Sequence, residues 1–311
     1  MFFLPLFDNN PTSRTPVITR SIIVICGLVF LYQFGLTEQV ERLFIFSYGA
    51  IPALITGAEI RPNYFFDIPD SATLLTSVFM HGGLLHLGGN MLYLWIFGDN
   101  VEDSMGPIKF TLFYLACGIA ATFTHIAIDP SSVTPLVGAS GAIAGVLAAY
   151  LMLHPHAEVR VIIVIIIFVR WASFPAVVVL AGWILIQFLS APSSLAEDGG
   201  VAYFAHIGGF VAGLALTPFM RNKGHPLFPS KAEEAHYYEY KEDDIEENIG
   251  DDTEHLAKHD HKADNRLKVL DRRQMKNAFV ERYRKPQSNQ TSNRTSNQTS
   301  NRHLPNVKKS K

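Results

Sequence analysis

Long uncharged runs constrain this chain more than any other feature. They extend from Ser21 to Thr37, Ser71 to Gly98, Phe110 to Ile128, Pro130 to Pro155, Trp171 to Ala196 and Gly199 to Met220. A helix needs about 20 apolar residues to cross a bilayer, and each run reaches or approaches that length. One such run is compatible with a core helix or a signal peptide. Six before residue 221 describe a multi-span membrane protein. The first run lacks a small-residue cleavage site and follows Arg20 directly, so it reads as an uncleaved span. The two cysteines, Cys26 and Cys117, both lie in apolar runs, which excludes a secreted disulfide scaffold.

A shorter apolar stretch, Val161 to Val169, covers roughly 13 Å as a helix and cannot span alone. It reads as an interfacial or re-entrant piece, or as an extension of the fifth span. The predicted fold is therefore an all-α membrane protein, a six-helix bundle over residues 1–223. The loop from Glu38 to Asp70 is apolar and is expected to rest in the outer interface. With the N-terminus in the cytoplasm, Arg14, Arg20, Lys109, Arg160, Arg170, Arg221 and Lys223 lie inside, against Arg42 and Arg61 outside. That bias predicts cytoplasmic termini. Without a transit peptide, a bacterial inner membrane is the expected setting.

Charge is segregated toward the end of the chain. Met1 to Met220 carries 7 basic and 13 acidic residues, Glu233 to Glu254 eleven acids and one base, and Lys258 to Lys311 fifteen bases and four acids. Such blocks, mixed with Asn, Ser, Thr and Gln, cannot bury a core. Residues 224–311 are expected to form a polar, largely disordered cytoplasmic tail. Its sequons at Asn289, Asn293 and Asn297 would then never meet the glycosylation machinery. No nucleic-acid partner is expected.

Polar residues inside spans are costly and default to functional hypotheses. His81, His86 and Asn90 lie in the second run, Ser140 opens the fourth, and His206 sits in the sixth. Taken alone, Ser140 reads as a small packing residue and His206 as a hydrogen-bonded interior histidine. Together, both belong in the outer half of the membrane. Gly209 and Gly213 share the helical face of His206. Ser140, Ala144 and Ala148 form a small stripe beside Gly141 and Gly145, and such surfaces let helices approach closely. A serine becomes a strong nucleophile when a neighbouring base takes its proton, and His206 is the available base. His86 and Asn90, four residues apart, can donate to an oxyanion, as can the Ser140 amide. His81 lies off their face and is given a supporting role. With no acid in these runs, a Ser–His dyad is expected rather than a triad.

These residues resemble the rhomboid family of intramembrane serine proteases. The resemblance rests on H-x4-H-x3-N at His81, His86 and Asn90, G-x-S-G at Gly138 to Gly141, and A-H-x-x-G at Ala205 to Gly209. A fourth piece is G-x3-E-x3-G at Gly98, Glu102 and Gly106, placed in the loop between the second and third spans. The family implies cleavage of single-span membrane proteins in or beside their transmembrane segments, with no metal or organic cofactor. It makes Ser140 the nucleophile, His206 the base, and His86, Asn90 and the Ser140 amide the oxyanion donors. Span five and the Ala191 to Gly200 loop become gate and cap. Two departures stand out. Some members carry Trp-Arg in the first outer loop, where this chain has Arg61-Pro62. Some carry a Tyr four residues after the serine, where this chain has Ala144, so what orients His206 is open, and Tyr203 is the nearby aromatic. The alternatives are an inactive, client-binding relative and a His-lined transporter.

Overall fold

The computed structural model describes residues 2–165, 168–192 and 201–234. Helices dominate. Helix α1 (Val17–Phe34) is followed by two helices of the outer loop, α2 (Glu38–Tyr48) and α3 (Pro52–Thr56), and by the short α4 (Thr73–Thr76). Then come α5 (Leu84–Met105), α6 (Pro107–Ile128), α7 (Ser140–Leu153), α8 (Ala176–Ser190) and α9 (Tyr203–Met220). Three of these, α1, α6 and α9, are long and apolar enough to cross a membrane. Helix α5 matches them in length but ends in Asp99, Glu102 and Asp103. Helices α7 and α8, at 14 and 15 residues, are shorter.

The chain is not all-α. Strands β1 (Phe2–Asp8), β2 (Glu158–Ile165) and β3 (Phe168–Pro175) form an antiparallel sheet in the order β1-β2-β3. Of the stretch read as an interfacial or re-entrant piece, or as an extension of the fifth span, residues 161–165 belong to the middle strand and residues 168–169 open its neighbour. Its β-branched residues favour the extended chain. From Val161 onward the alternation that marks a strand is hidden, because Val161 is buried on one face while Ile162 and Val164 make the other face apolar too. Strand β3 runs into α8 through Pro175, so the fifth apolar helix starts at Ala176 rather than near Trp171. Residues 130–139, read as part of the fourth span, are loop, held partly by the Ala50–Leu136 bridge.

The acids at the end of α5 have specific work. Glu102 accepts from the backbone N–H groups of Ile18 and Thr19 at 2.9 and 2.8 Å, and from the Thr19 hydroxyl at 2.8 Å. Asp103 accepts from the Ser13 hydroxyl at 2.8 Å. The first N–H groups of a helix lack internal partners, so Glu102 caps α1 from another helix, while Asp103 holds the chain at Ser13 just before it. The G-x3-E-x3-G residues therefore lie within α5 and at its C-cap, not in a loop. Gly106 has φ +79°, the left-handed conformation that lets the chain turn directly into α6.

Arg61 takes over the anchoring of the outer loop. It pairs with Asp70 at 2.5 Å, donates to the carbonyl oxygens of Ser47 and Phe66 at 2.6 and 3.2 Å, and lies over the Phe65 ring. Loop and helix ends are thus joined without a Trp-Arg pair. At the other end, the described chain continues past the expected boundary at 223. Asn222 N–H donates to the Ser104 carbonyl, Phe228 N–H to that of Met152, and the Glu234 carboxylate accepts from His156 N–H. The expected tail beyond 234 lies outside the described residues, as does most of the loop expected to act as a cap, Ala191–Gly200.

Candidate active site

Three helices set the site by their closeness. A Cβ on Gly209 would collide with the carbonyl oxygen of Gly141, one on Gly213 with that of Gly145, and one on Gly145 with Sγ of Cys117. A Cβ on Gly141 would meet that of Ala121 at 2.5 Å. Glycine at these positions lets α7 lie against both α9 and α6 at backbone distance. The small-residue stripes therefore do what their spacing suggests.

That contact joins the first residue of α7 to the first turn of α9. Ser140 Oγ lies 2.8 Å from Nε2 of His206, and His206 is buried. The second ring nitrogen, Nδ1, lies 2.8 Å from Oε1 of Gln187 on α8. The Gln187 amide nitrogen donates to the Trp183 carbonyl at 3.3 Å, one turn earlier in α8. This last bond fixes the chemistry of the others. A carbonyl can only accept, so the amide nitrogen faces Trp183 and the amide oxygen faces His206. That oxygen can also only accept, so Nδ1 carries the proton. A neutral imidazole then keeps its lone pair on Nε2, aimed at the Ser140 hydroxyl.

Gln187 answers what holds the imidazole in the absence of an aromatic at Ala144. Two rings assist. Trp183 lies with its centroid 5.9 Å from that of His206 at a 35° tilt, and Tyr203 stands edge-on at 6.4 Å. Neither Gln187 nor Trp183 was among the expected site residues. Gln187 did carry a signal, since it is a polar residue in the otherwise apolar AVVVLAGWILIQFLS.

The remaining candidates surround Ser140 without bonding to it. Gly138, at φ +130°, precedes the serine by two residues, and its N–H donates to the Ser77 carbonyl at 2.9 Å. A Cβ there would lie 2.8 Å from Cε1 and Nε2 of His86, so glycine leaves room for that ring beside the serine. His86 Nδ1 accepts a long bond, 3.4 Å, from Gly82 N–H, which leaves Nε2 as its other ring nitrogen toward Gly138. Asn90 is buried, and one N–H of its amide donates to the His86 carbonyl at 3.0 Å. His81 is buried behind, its ring 5.2 Å from that of His86 and nearly perpendicular. Its backbone is held by the Gln33 side chain at 3.3 and 3.4 Å. Ser140 opens a helix, so its N–H and that of Gly141 are first-turn donors with no helical acceptor behind them. Among the described residues, no group of three His, Cys, Asp or Glu side chains could hold a metal ion.

The arrangement supplies a hydroxyl, a tautomerically fixed base and a cluster of N–H donors, all at one end of a helical bundle. The family model of the Rhomboid domain matches residues 70–223, the stretch that contains every one of these groups. Rhomboid protein 1, mitochondrial, of Saccharomyces cerevisiae is 30% identical over 151 residues, which are 47% of this chain and 41% of that protein. Presenilin-associated rhomboid-like protein, mitochondrial, of Bos taurus is 32% identical over 127 residues, 39% of this chain and 33% of that one. Rhomboid protease GluP of Bacillus subtilis is 44% identical over 78 residues, 25% of this chain and 15% of its own. The matches thus span less than half the length of these relatives. The chain is a rhomboid family membrane protein.

Proposed function

We propose that this protein is an intramembrane serine endopeptidase that cuts single-span membrane proteins in or beside their transmembrane segments. The observation that carries the reading is the chain of hydrogen bonds Ser140 Oγ–His206–Gln187, 2.8 Å at each link. Ser140 is the nucleophile. As its oxygen attacks the scissile carbonyl, its proton passes to Nε2 of His206. The Gln187 oxygen holds the Nδ1 proton throughout and supports the imidazolium that forms. Oxygen of the attacked carbonyl becomes an anion, and the Ser140 and Gly141 N–H groups, with Asn90 and Nε2 of His86, are the donors for it. The imidazolium then gives its proton to the leaving amine, and water, deprotonated by His206, releases the acyl chain from Ser140. No metal or organic cofactor takes part.

In this reading α1, α5, α6, α7, α8 and α9 are the six spans. Both termini lie on the cytoplasmic side and the dyad opens to the other. Helices α7 and α8 are each about 21–23 Å long, so they reach only part of the way across a core of about 30 Å. Water reaches a serine at the head of a short helix more easily than one at mid-depth. A bacterial inner membrane is not part of the reading, because relatives named as mitochondrial match over longer stretches than the bacterial one.

The test is labelling by a fluorescent serine-directed phosphonate, with the full chain in detergent and in lipid. Wild type is expected to label, and Ser140→Ala and His206→Ala to stay dark while remaining folded. A folded wild type that stays dark in both media would refute the proposal and leave the inactive client-binding relative.

A further inference from the structure

We infer that the β1-β2-β3 sheet is a membrane-interface anchor that seats its exposed end in the headgroup layer of anionic phospholipid, at the end of the bundle away from Ser140. The proposal rests on the helices lying in a membrane and is independent of the dyad. Its position follows from chain direction. Helix α7 starts at Ser140 and runs away from the dyad into β2, and α8 starts after β3 and returns to put Gln187 on His206.

The base of the sheet is held and the start of β3 is exposed. Near the helices, Val159 and Val161 are fully buried and Ala172 and Phe174 pack against the core. At the distal end of β3, Phe168, Val169 and Trp171 are 67, 58 and 61% exposed, and Arg170 is exposed beside them. Successive strand residues point to opposite faces, so β3 carries exposed apolar side chains on both of its faces here. On one face Arg160 lies over the Phe7 ring at 5.4 Å, and Phe7 meets Trp171 at 6.4 Å, forming a strip of guanidinium and aromatic groups.

Three demands meet at one depth. The large apolar side chains favour leaving water. The outer edge of β3 pairs with no strand among the described residues, and an open sheet edge is not tolerated in hydrocarbon. Tryptophan and arginine together suit the interface, where the ring is apolar, the edge is wet and phosphate is at hand. Charge at this end agrees. The carboxylates of Glu102 and Asp103 are buried, one capping α1 and the other bonded to Ser13, whereas Arg14, Arg20, Lys109 and Arg170 are exposed. Glu158 is the exposed acid of the sheet. Exposed apolar side chains resume on α8, into which β3 passes without a loop, at Val177 and Val178.

The experiment uses the full chain in nanodiscs of phosphatidylcholine, with and without phosphatidylglycerol. The difference in fluorescence between wild type and Trp171→Phe isolates one of three tryptophans. It is expected to be quenched by lipid brominated near the headgroup and shielded from aqueous iodide. Amide exchange over residues 158–175 of wild type gives an answer that needs no variant. Protection there should rise with phosphatidylglycerol, and Arg170→Ser should reduce that rise by about fivefold, the effect of one basic residue near an anionic surface. Iodide quenching without lipid quenching would overturn the proposal. So would protection that ignores lipid charge, or protection that instead rises with protein concentration, which would mean a second copy covers the sheet.

Discussion

At the residue scale the informative position is Gln187. It reaches the second nitrogen of His206 from α8, an element whose outward side chains are mostly exposed, while Ser140 and His206 sit on helices locked together by glycine. The imidazole of His206 is thus held from a third helix, outside the glycine-locked pair. Replacing Gln187 by Leu removes the acceptor for Nδ1–H and lets the imidazole take the wrong tautomer. Turnover is expected to fall by roughly 10²-fold, the scale of a general base's contribution, with KM changed much less. Gln187→Glu keeps an acceptor and adds a negative charge that favours the imidazolium. Its pH–rate profile for kcat/KM should shift to higher pH, measured with a transmembrane peptide reporter. An unshifted profile in an active Gln187→Glu protein would show that Gln187 only fills space. Ser140, His206, His86 and Asn90 were legible because ionisable or polar groups in apolar runs stand out. Gln187 obeyed the same rule but sits alone, and its meaning needs α8 placed beside α9, which no local pattern encodes.

At the scale of elements, the site depends on how near α7 and α9 approach. Glycine stripes announce such contacts in sequence, and here Gly209 touches the Gly141 backbone so closely that no side chain fits. Gly209→Ala must push the helices apart, and overpacking of this kind costs typically 1–3 kcal/mol. Because the dyad spans the same contact, the lengthened Nε2–Oγ distance should abolish phosphonate labelling before the fold is lost. A thermal melt in detergent run beside the labelling assay separates the two effects. Gly182 on α8 meets nothing within 4 Å of a Cβ and is the control, with Gly182→Ala expected to label as wild type does. The strands were less legible than the helices for a related reason. An apolar run long enough for a strand and too short for a span has no helical signature, and its partner β1 is separated from it by 149 residues between Asp8 and Glu158. Pairing that is so distant in sequence leaves no local trace.

At the scale of the whole molecule, the end away from the dyad is closed by the N-terminal strand, and Asp8 is its latch. Its carboxylate accepts from the Tyr150 hydroxyl on α7 and from the Asn100 amide on α5, the latter at 3.2 Å. Burial pushes the Asp8 carboxyl up to about 7, helped by the neighbouring Asp99 and opposed by the Tyr150 bond. A carboxyl raised above its ordinary value of 3.8 in the folded state contributes stability that is intact below that value. The contribution is lost as pH rises toward and through about 7, because the unfolded chain releases its proton first. Docking of β1 should therefore weaken between about pH 4 and pH 7 and then level off. Amide exchange of Leu4 and Leu6, taken as the ratio of wild type to Asp8→Asn at each pH, cancels the intrinsic rate. The ratio should climb over that window, because Asn mimics the protonated acid at every pH and keeps the strand in place. A flat ratio would mean that Asp8 stays ionised in the folded protein and that Tyr150 and Asn100 compensate its burial. Since β1 is the outer partner of β2, a strand released at high pH would also loosen the sheet proposed to meet the lipid. Protection of residues 158–175 should then fall in the same window in wild type and not in Asp8→Asn.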